Sequence, residues 1–292
     1  MRADSRYSGQ YLCQLHAISI ISASSYSNTA PLIWSFLYGS NRGKYEVILD
    51  TAPARSAELL ANDEVDAALV PVIAAQLIDN ISLVPGVCVG AQEKVRSVCL
   101  VTDGKELQDV RSVSLDVSSK TSVVLTKIIF REFLGFEPTW IDAKPDVEAM
   151  LKQSDCALLI GDPALAVNSG FKIQNSTQCE KRITNRELRK YDLVELWRKY
   201  TNFGFVFAMW MTRRTECDID FAAARDEGIA HAEEIISNYE GEIALSRDEL
   251  KKYLTENISY SISESMKNGL ELYFNLAAKN KLTEGNRDLV YL

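Results

Sequence analysis

Tyr26-Ser27-Asn28-Thr29-Ala30-Pro31-Leu32 stands just downstream of the apolar run Ala17-Ile18-Ser19-Ile20-Ile21. An apolar strand, a small polar loop and a proline at a helix start together make a ligand-facing turn. Proline is tolerated in a first helical turn because its missing N–H has no helix partner there. The remaining free N–H groups of such a turn can receive an anion.

Working outward from this turn, strand and helix alternate. The pattern predicts a strand over 17–22, a helix over 31–38, a strand over 45–49 and a helix over 54–62, where Ala57, Leu60 and Ala61 fall at helical spacing. Asp66-Ala67-Ala68-Leu69-Val70 reads as a buried strand, and Pro71 opens a short helix. Strand–helix–strand order implies a mostly parallel sheet.

Ser97-Val98-Cys99-Leu100-Val101 is a further strand, and the polar turn Thr102-Asp103-Gly104-Lys105 after it marks a crossing into a second α/β unit. That unit starts with a strand over 113–116. Ser118-Ser119-Lys120-Thr121-Ser122 then leads into a helix whose Val124, Leu125, Ile128, Ile129 and Phe133 recur at i+4, with Gly135 ending it. A helix over 145–153 and a strand over 156–160 follow. The polar stretch 174–190 reads as an exposed insertion. A helix over 192–200 leads into Phe205–Met211, a strand crossing back.

The remainder reads as three helices, 218–239, 246–256 and 258–279. Asp218 and Ser246 are candidate N-caps, and Ser246 with Glu249 fits a capping box. The expected organisation is a first lobe over 1–104 and 205–292 and a second lobe over 105–204. The crossings are placed near 100–108 and 202–207. Two α/β lobes joined in this way resemble a type II periplasmic-binding-protein architecture, with mixed, mostly parallel sheets and a ligand cleft between the lobes.

Composition narrows the chemistry. The 292 residues are 47% hydrophobic and 25% charged, an ordinary globular balance with room for two cores. The net charge is −8 and no basic block occurs, which argues against a nucleic-acid partner. Cys13, Cys88, Cys99, Cys156, Cys179 and Cys217 include no C-x-x-C pair and read as reduced, inert thiols of a cytoplasmic protein. His16 and His231 are the only histidines, so neither a zinc site nor a Ser-His-Asp triad is expected. Leu12–Ile21 reads as a first strand and not as a signal segment, and no stretch is long enough to span a membrane.

YSNTAPL, SKTSVVLTKIIFREF, ALLIGDPAL, YDLVELWRKYTNFGFVFAMW and YLTENISYSISESMKNGLELYF occur in this order over roughly residues 15–282. The set resembles the chorismate dehydratases of the futalosine route to menaquinone. The sister branch, 1,4-dihydroxy-6-naphthoate synthase, is expected to carry a Cys-Pro-Asn-Asp type turn where this chain has Asn28-Thr29-Ala30-Pro31. The chain departs from the family at Thr201-Asn202-Phe203-Gly204, where Thr-Gly-x-Pro is usual, and at Glu93-Lys94-Val95, where Gly-Pro-Val is usual.

The resemblance implies a small-molecule partner, chorismate, and a dehydration giving 3-(1-carboxyvinyloxy)benzoate. It implies no cofactor and no metal, in a monomer or dimer. Asn28 is the candidate catalytic residue, since its amide both donates and accepts; its alternative role is an Asx-type turn residue. Thr29, Ser97, Ser118, Ser119, Thr121, Ser122 and Asp162 are the candidate substrate-binding residues. The Ser118–Ser122 hydroxyls at a helix start suit a carboxylate, or one of them is simply the N-cap. Ser97 either faces the cleft or is a plain strand position. Asp162 before Pro163 reads as a helix N-cap, with a general-acid role left open. A non-catalytic solute-binding protein of the same fold is the alternative from another class.

Overall fold

The computed structural model describes residues 19–50, 52–167 and 188–292. The first run comprises β1 (Ile20–Ser24), a single 3-10 turn (Ser27–Thr29), α1 (Ala30–Leu37), β2 (Glu46–Asp50), α2 (Pro53–Ala61), β3 (Ala67–Pro71), α3 (Ala74–Leu77) and β4 (Ser82–Ala91). The second comprises β5 (Val98–Asp103), β6 (Ser112–Asp116), α4 (Lys120–Ile128), β7 (Thr139–Ala143), α5 (Val147–Gln153), β8 (Cys156–Ile160), α6 (Gly161–Ala166), β9 (Leu188–Asp192) and α7 (Leu193–Thr201). The chain then returns through β10 (Phe205–Thr212) to α8 (Phe221–Ala230), α9 (Ala232–Tyr239), α10 (Arg247–Lys252) and α11 (Glu264–Lys279).

The strands form two five-stranded sheets of one design, β2-β1-β3-β10-β4 and β7-β6-β8-β5-β9. In the first, β1 runs parallel to β2 and β3, and β10 runs antiparallel to β3 and β4. In the second, β6 runs parallel to β7 and β8, and β5 runs antiparallel to β8 and β9. Parallel pairings therefore do not outnumber antiparallel ones. The reason is geometric: the strand delivered by a crossing enters each sheet reversed and opposes both its neighbours.

The first crossing falls earlier than the sequence suggests. β4 closes the first sheet at Ala91, and β5 already lies in register between β8 and β9. The link is therefore 92–97, and Val98–Asp103 belongs with the second sheet, not the first. Asp192 secures this link. Its carboxylate accepts from Val95 N (3.1 Å) and Arg96 N (2.6 Å) while capping α7 through Val194 N and Glu195 N. The return link is 202–204. Asn202 ends α7 with φ 62°, and asparagine is among the few non-glycine residues that tolerate this left-handed conformation.

Several expected elements shift. Asp220, not Asp218, caps α8, because Ile219 still lies outside the helix. The 218–239 helix breaks at His231 into α8 and α9. The Ser246–Glu249 capping box forms. α10 passes into a π-helical turn over Tyr253–Asn257, and α11 starts only at Glu264, since Ser259 pairs with Gly90 at the sheet edge. Asp162 does not cap α6; it lies in the first turn, behind Gly161 and the N-cap Ile160. The first three residues of β9 fall within the expected insertion. The remainder of that insertion, Cys13, His16, Cys179 and the start of the first predicted strand lie outside the described residues.

Cys88, Cys99 and Cys156 are buried free thiols, and burial pushes Cys88 and Cys99 up to about 12. Among the described residues no helix is long and apolar enough to cross a membrane, and no group of three or more His, Cys, Asp or Glu is placed to hold a metal.

Two contacts fix the turn after β1. Residues Ala30–Phe36 of α1 are all buried, and α1 lies on α8 at Gly228. A Cβ on Gly228 would sit 1.8 Å from Pro31 O, so only glycine admits this approach. Across the cleft, Ser27 N (3.3 Å) and Ser27 Oγ (2.5 Å) both donate to Asp162. Burial raises the Asp162 carboxyl above its ordinary range, outweighing the Ser27 bonds.

Gly228→Ala should therefore displace α1 and its turn, costing about 1–3 kcal/mol. A melting temperature equal to wild type would refute this packing. For Asp162 the sign follows from its raised folded value. As pH falls, the native state takes up the proton before the unfolded chain, so this group favours folding at low pH and opposes it above its folded pKa. The melting temperature of Asp162→Asn relative to wild type should thus improve as pH rises from about 4 to about 7. A difference that stays flat or moves the other way would contradict the burial argument.

Candidate active site

The turn after β1 divides its labour by residue. Thr29 Oγ1 donates to Ser24 O (2.6 Å) and Tyr26 O (2.7 Å), and Thr29 N donates to Tyr26 O (3.0 Å). Thr29 closes the turn, the task the Asx alternative assigned to Asn28. Its single hydroxyl proton is committed to these carbonyls. The Asn28 side chain lines the cleft and is nearly buried, 9% exposed.

The cleft lies between the sheets and is narrow, enclosing about 50 Å³ between its walls. The first lobe contributes Tyr26, Asn28, Thr29, Pro53, Leu69 and Phe207. The second contributes Val98, Ser119, Ser122, Ile160 and Gly161. Gly161 has φ 60°, and a Cβ there would press the Tyr26 ring at 3.0 Å, so glycine allows this aromatic side chain to cover the far wall. Among the described residues that line the cleft none is Lys, Arg, His, Asp or Glu. A larger groove between α11 and the C-terminal residues Asn286–Tyr291 holds none of the residues singled out from the sequence.

The four hydroxyls of the α4 loop separate into two pairs. Ser119 caps α4, accepting from Ser122 N (3.4 Å) and donating to Ser122 Oγ (2.9 Å). The Ser122 O–H is thereby left to donate into the cleft. Both residues line it, beside first-turn N–H groups that have no partner within the helix. Ser118 instead donates to Asp116 Oδ1 (2.6 Å), and Thr121 Oγ1 accepts from Ile73 N (3.2 Å). Tyr273 OH donates to Thr121 O (3.1 Å), so α11 also holds the start of α4. Ser118 and Thr121 thus carry contacts behind the wall.

Ser97 is fully buried at the end of the crossing, behind Val98, and does not line the cleft. Asp162 is likewise behind the wall, held by Ser27. The structure therefore brings Asn28, Thr29, Ser119 and Ser122 together, while Ser97, Ser118, Thr121 and Asp162 support them from behind. Three residues that sequence reasoning missed belong to this region. Tyr26 covers the cleft, with its phenol pushed up by burial. Asp116 is a fully buried carboxylate at the end of β6, also pushed up by burial. Tyr253 packs behind Asn28 and Ser97. Tyr26 and Tyr253 both stand in segments that carry the resemblance, Tyr26 in the turn after β1 and Tyr253 at the start of YLTENISYSISESMKNGLELYF.

A 28% identical relative, covering 85% of this chain and 91% of its own length, is a chorismate dehydratase of Thermus thermophilus. Among solved structures, a protein of Archaeoglobus fulgidus superposes with a TM-score of 0.67 at 16% identity, covering 90% of this chain and 98% of its own. The periplasmic aliphatic sulphonate binding protein of Escherichia coli superposes at 0.58 and 14% identity, covering 94% and 93%. These likenesses establish the periplasmic-binding-protein fold. Residues 20–279 match the protein family described as menaquinone biosynthesis, and the chain belongs to that family.

Proposed function

We propose that the protein is a cytoplasmic chorismate dehydratase, a carbon–oxygen lyase that converts chorismate to 3-(1-carboxyvinyloxy)benzoate and water on the futalosine route to menaquinone. The observation that carries this reading is the Asn28 turn. Thr29 does the structural work there, and the Asn28 amide lies on the cleft wall. The family and the dehydratase relative support it. The buried free thiols fit a reducing compartment.

Loss of water from chorismate makes an aromatic ring, so the chemistry is downhill once the groups are aligned. The protein must hold two carboxylates and steer the departing hydroxyl. Ser119, Ser122 and the first turn of α4 offer neutral donors to one carboxylate, with the helix dipole behind them. Asn28 hydrogen-bonds the departing hydroxyl. Among the described residues of the wall the only titratable side chain is Tyr26, whose phenol burial makes a poorer acid. The ring proton is therefore taken by a carboxylate of the substrate itself and passed on to the departing hydroxyl, which leaves as water, so the product is again a dianion. The substrate's dianionic charge also meets no wall carboxylate, because Asp116 and Asp162 are turned onto Ser118 and Ser27.

Incubation with chorismate should give a product lighter by one water, with aromatic absorbance. Purified wild type that never does this sinks the assignment; intact chorismate bound without turnover would favour a solute-binding role. Asn28→Ala should lower kcat by roughly 10²–10³, the usual loss for one preorganised donor, with little change in melting temperature. Asn28→Asp should be at least as impaired, since it sets a charge against a dianion in a poorly solvated cleft.

Ser122→Ala should weaken binding by about 1.5–3 kcal/mol, the worth of a hydrogen bond to a charged group. Thr121→Val, behind the wall, should lower the melting temperature more than it raises KM. Equal effects of the two on KM would show that the α4 hydroxyls act as a single cradle.

A further inference from the structure

Tyr253 has 0% of its surface exposed, and its hydroxyl makes no well-aligned hydrogen bond. It begins the π-helical turn Tyr253–Asn257, which extends α10. Such turns are rare and gather at functional sites, because the widened turn re-aims one side chain. Here the side chain is aimed at the back of the site. Ser97, at the end of the crossing, and Asn28, on the cleft wall, lie near enough to act on the Tyr253 hydroxyl, though neither completes a hydrogen bond to it. A buried phenol without a well-made bond is costly and calls for an explanation. Phenylalanine would fill the same space without that cost.

Resting on the dehydratase reading, we propose that Tyr253 is a positioning residue of the reaction centre, its hydroxyl held between Asn28 and Ser97 and setting the orientation of the Asn28 amide toward the departing hydroxyl. Burial makes the phenol a far weaker acid than usual, so it keeps its proton throughout the neutral range. It can therefore always donate one hydrogen bond and still accept another. Asn28 comes from the first lobe and Ser97 from the crossing, so the phenol also ties the amide to the segment that links the lobes.

A second buried tyrosine supplies the control. Tyr260 is 6% exposed and its hydroxyl is also without a hydrogen-bond partner; of the residues named for the site only Tyr253 itself acts on it, and neither Asn28 nor Ser97 does. The experiment compares wild type, Tyr253→Phe and Tyr260→Phe for chorismate turnover, melting temperature and the side-chain amide resonances of Asn28. Tyr253→Phe should lower kcat roughly a hundredfold, as expected for a misplaced reacting group, and leave KM within about threefold. Its melting temperature should equal or exceed that of wild type, and the Asn28 amide resonances should shift. Tyr260→Phe should match wild type in kcat and in the Asn28 resonances.

A Tyr253→Phe enzyme with wild-type kcat overturns the proposal while leaving the dehydratase reading intact. So do unmoved Asn28 resonances, or an equal loss of kcat in both variants, which would mark a packing effect. A wild type without dehydratase activity overturns the reading on which the proposal rests.

Discussion

The Thr29 hydroxyl is the contact on which the site depends. By bonding back to Ser24 O and Tyr26 O it locks the turn after β1 in one shape. Every other residue of the turn is then assigned a direction. Tyr26 lies over Gly161, Ser27 reaches Asp162 in the second lobe, Asn28 faces the cleft, and Pro31 sits against Gly228. A looser turn would lose the inter-lobe contact and the amide's aim together. The cost of this arrangement falls on glycine: at Gly228 a Cβ would meet Pro31 O at 1.8 Å, and at Gly161 it would press the Tyr26 ring from a left-handed backbone position.

The electrostatic design is one of neutral donors in front and ionisable groups behind. The described residues of the wall present hydroxyls, an amide and backbone N–H groups, with no charged side chain among them. Asp116 and Asp192 are buried and Asp162 is half-buried, each pushed up by desolvation and each engaged by serine or backbone donors. Neutral donors with fixed positions bind an anion without the long, mobile side chains of lysine or arginine. They also leave no strong base among the described residues of the wall.

The sequence displayed the parts of the fold that carry strong periodicity. Buried strands such as Ala67–Pro71, Cys156–Ile160 and Phe205–Thr212 are nearly continuous apolar runs, and the proline-led α1 announces itself. Strands that escaped notice lack this signal. β4 has Pro85-Gly86 in its middle, and β7 and β9 are edge strands with charged or exposed residues. The crossing was misplaced because a buried strand looks the same in either sheet; only its partners decide. In the site, Asn28, Thr29, Ser119 and Ser122 could be picked out by residue type and position. Which α4 hydroxyls turn inward depends on competing acceptors such as Asp116 Oδ1, and sequence spacing does not show these. Tyr253 opens a segment that carries the resemblance, but its direction does not show in the sequence, because a π-helical turn reads as ordinary helix.

The insertion of one returning strand into each sheet has a consequence for biosynthesis. All five strands of the second sheet come from the continuous stretch 98–192. The first sheet needs β10, which separates β3 from β4. Until residues 205–212 leave the ribosome, β3 and β4 have no partner between them and present open edges. The lobe that is begun first is therefore completed last, and the nascent chain carries those unpaired edges while its second lobe folds, an interval in which strand-to-strand aggregation competes with folding.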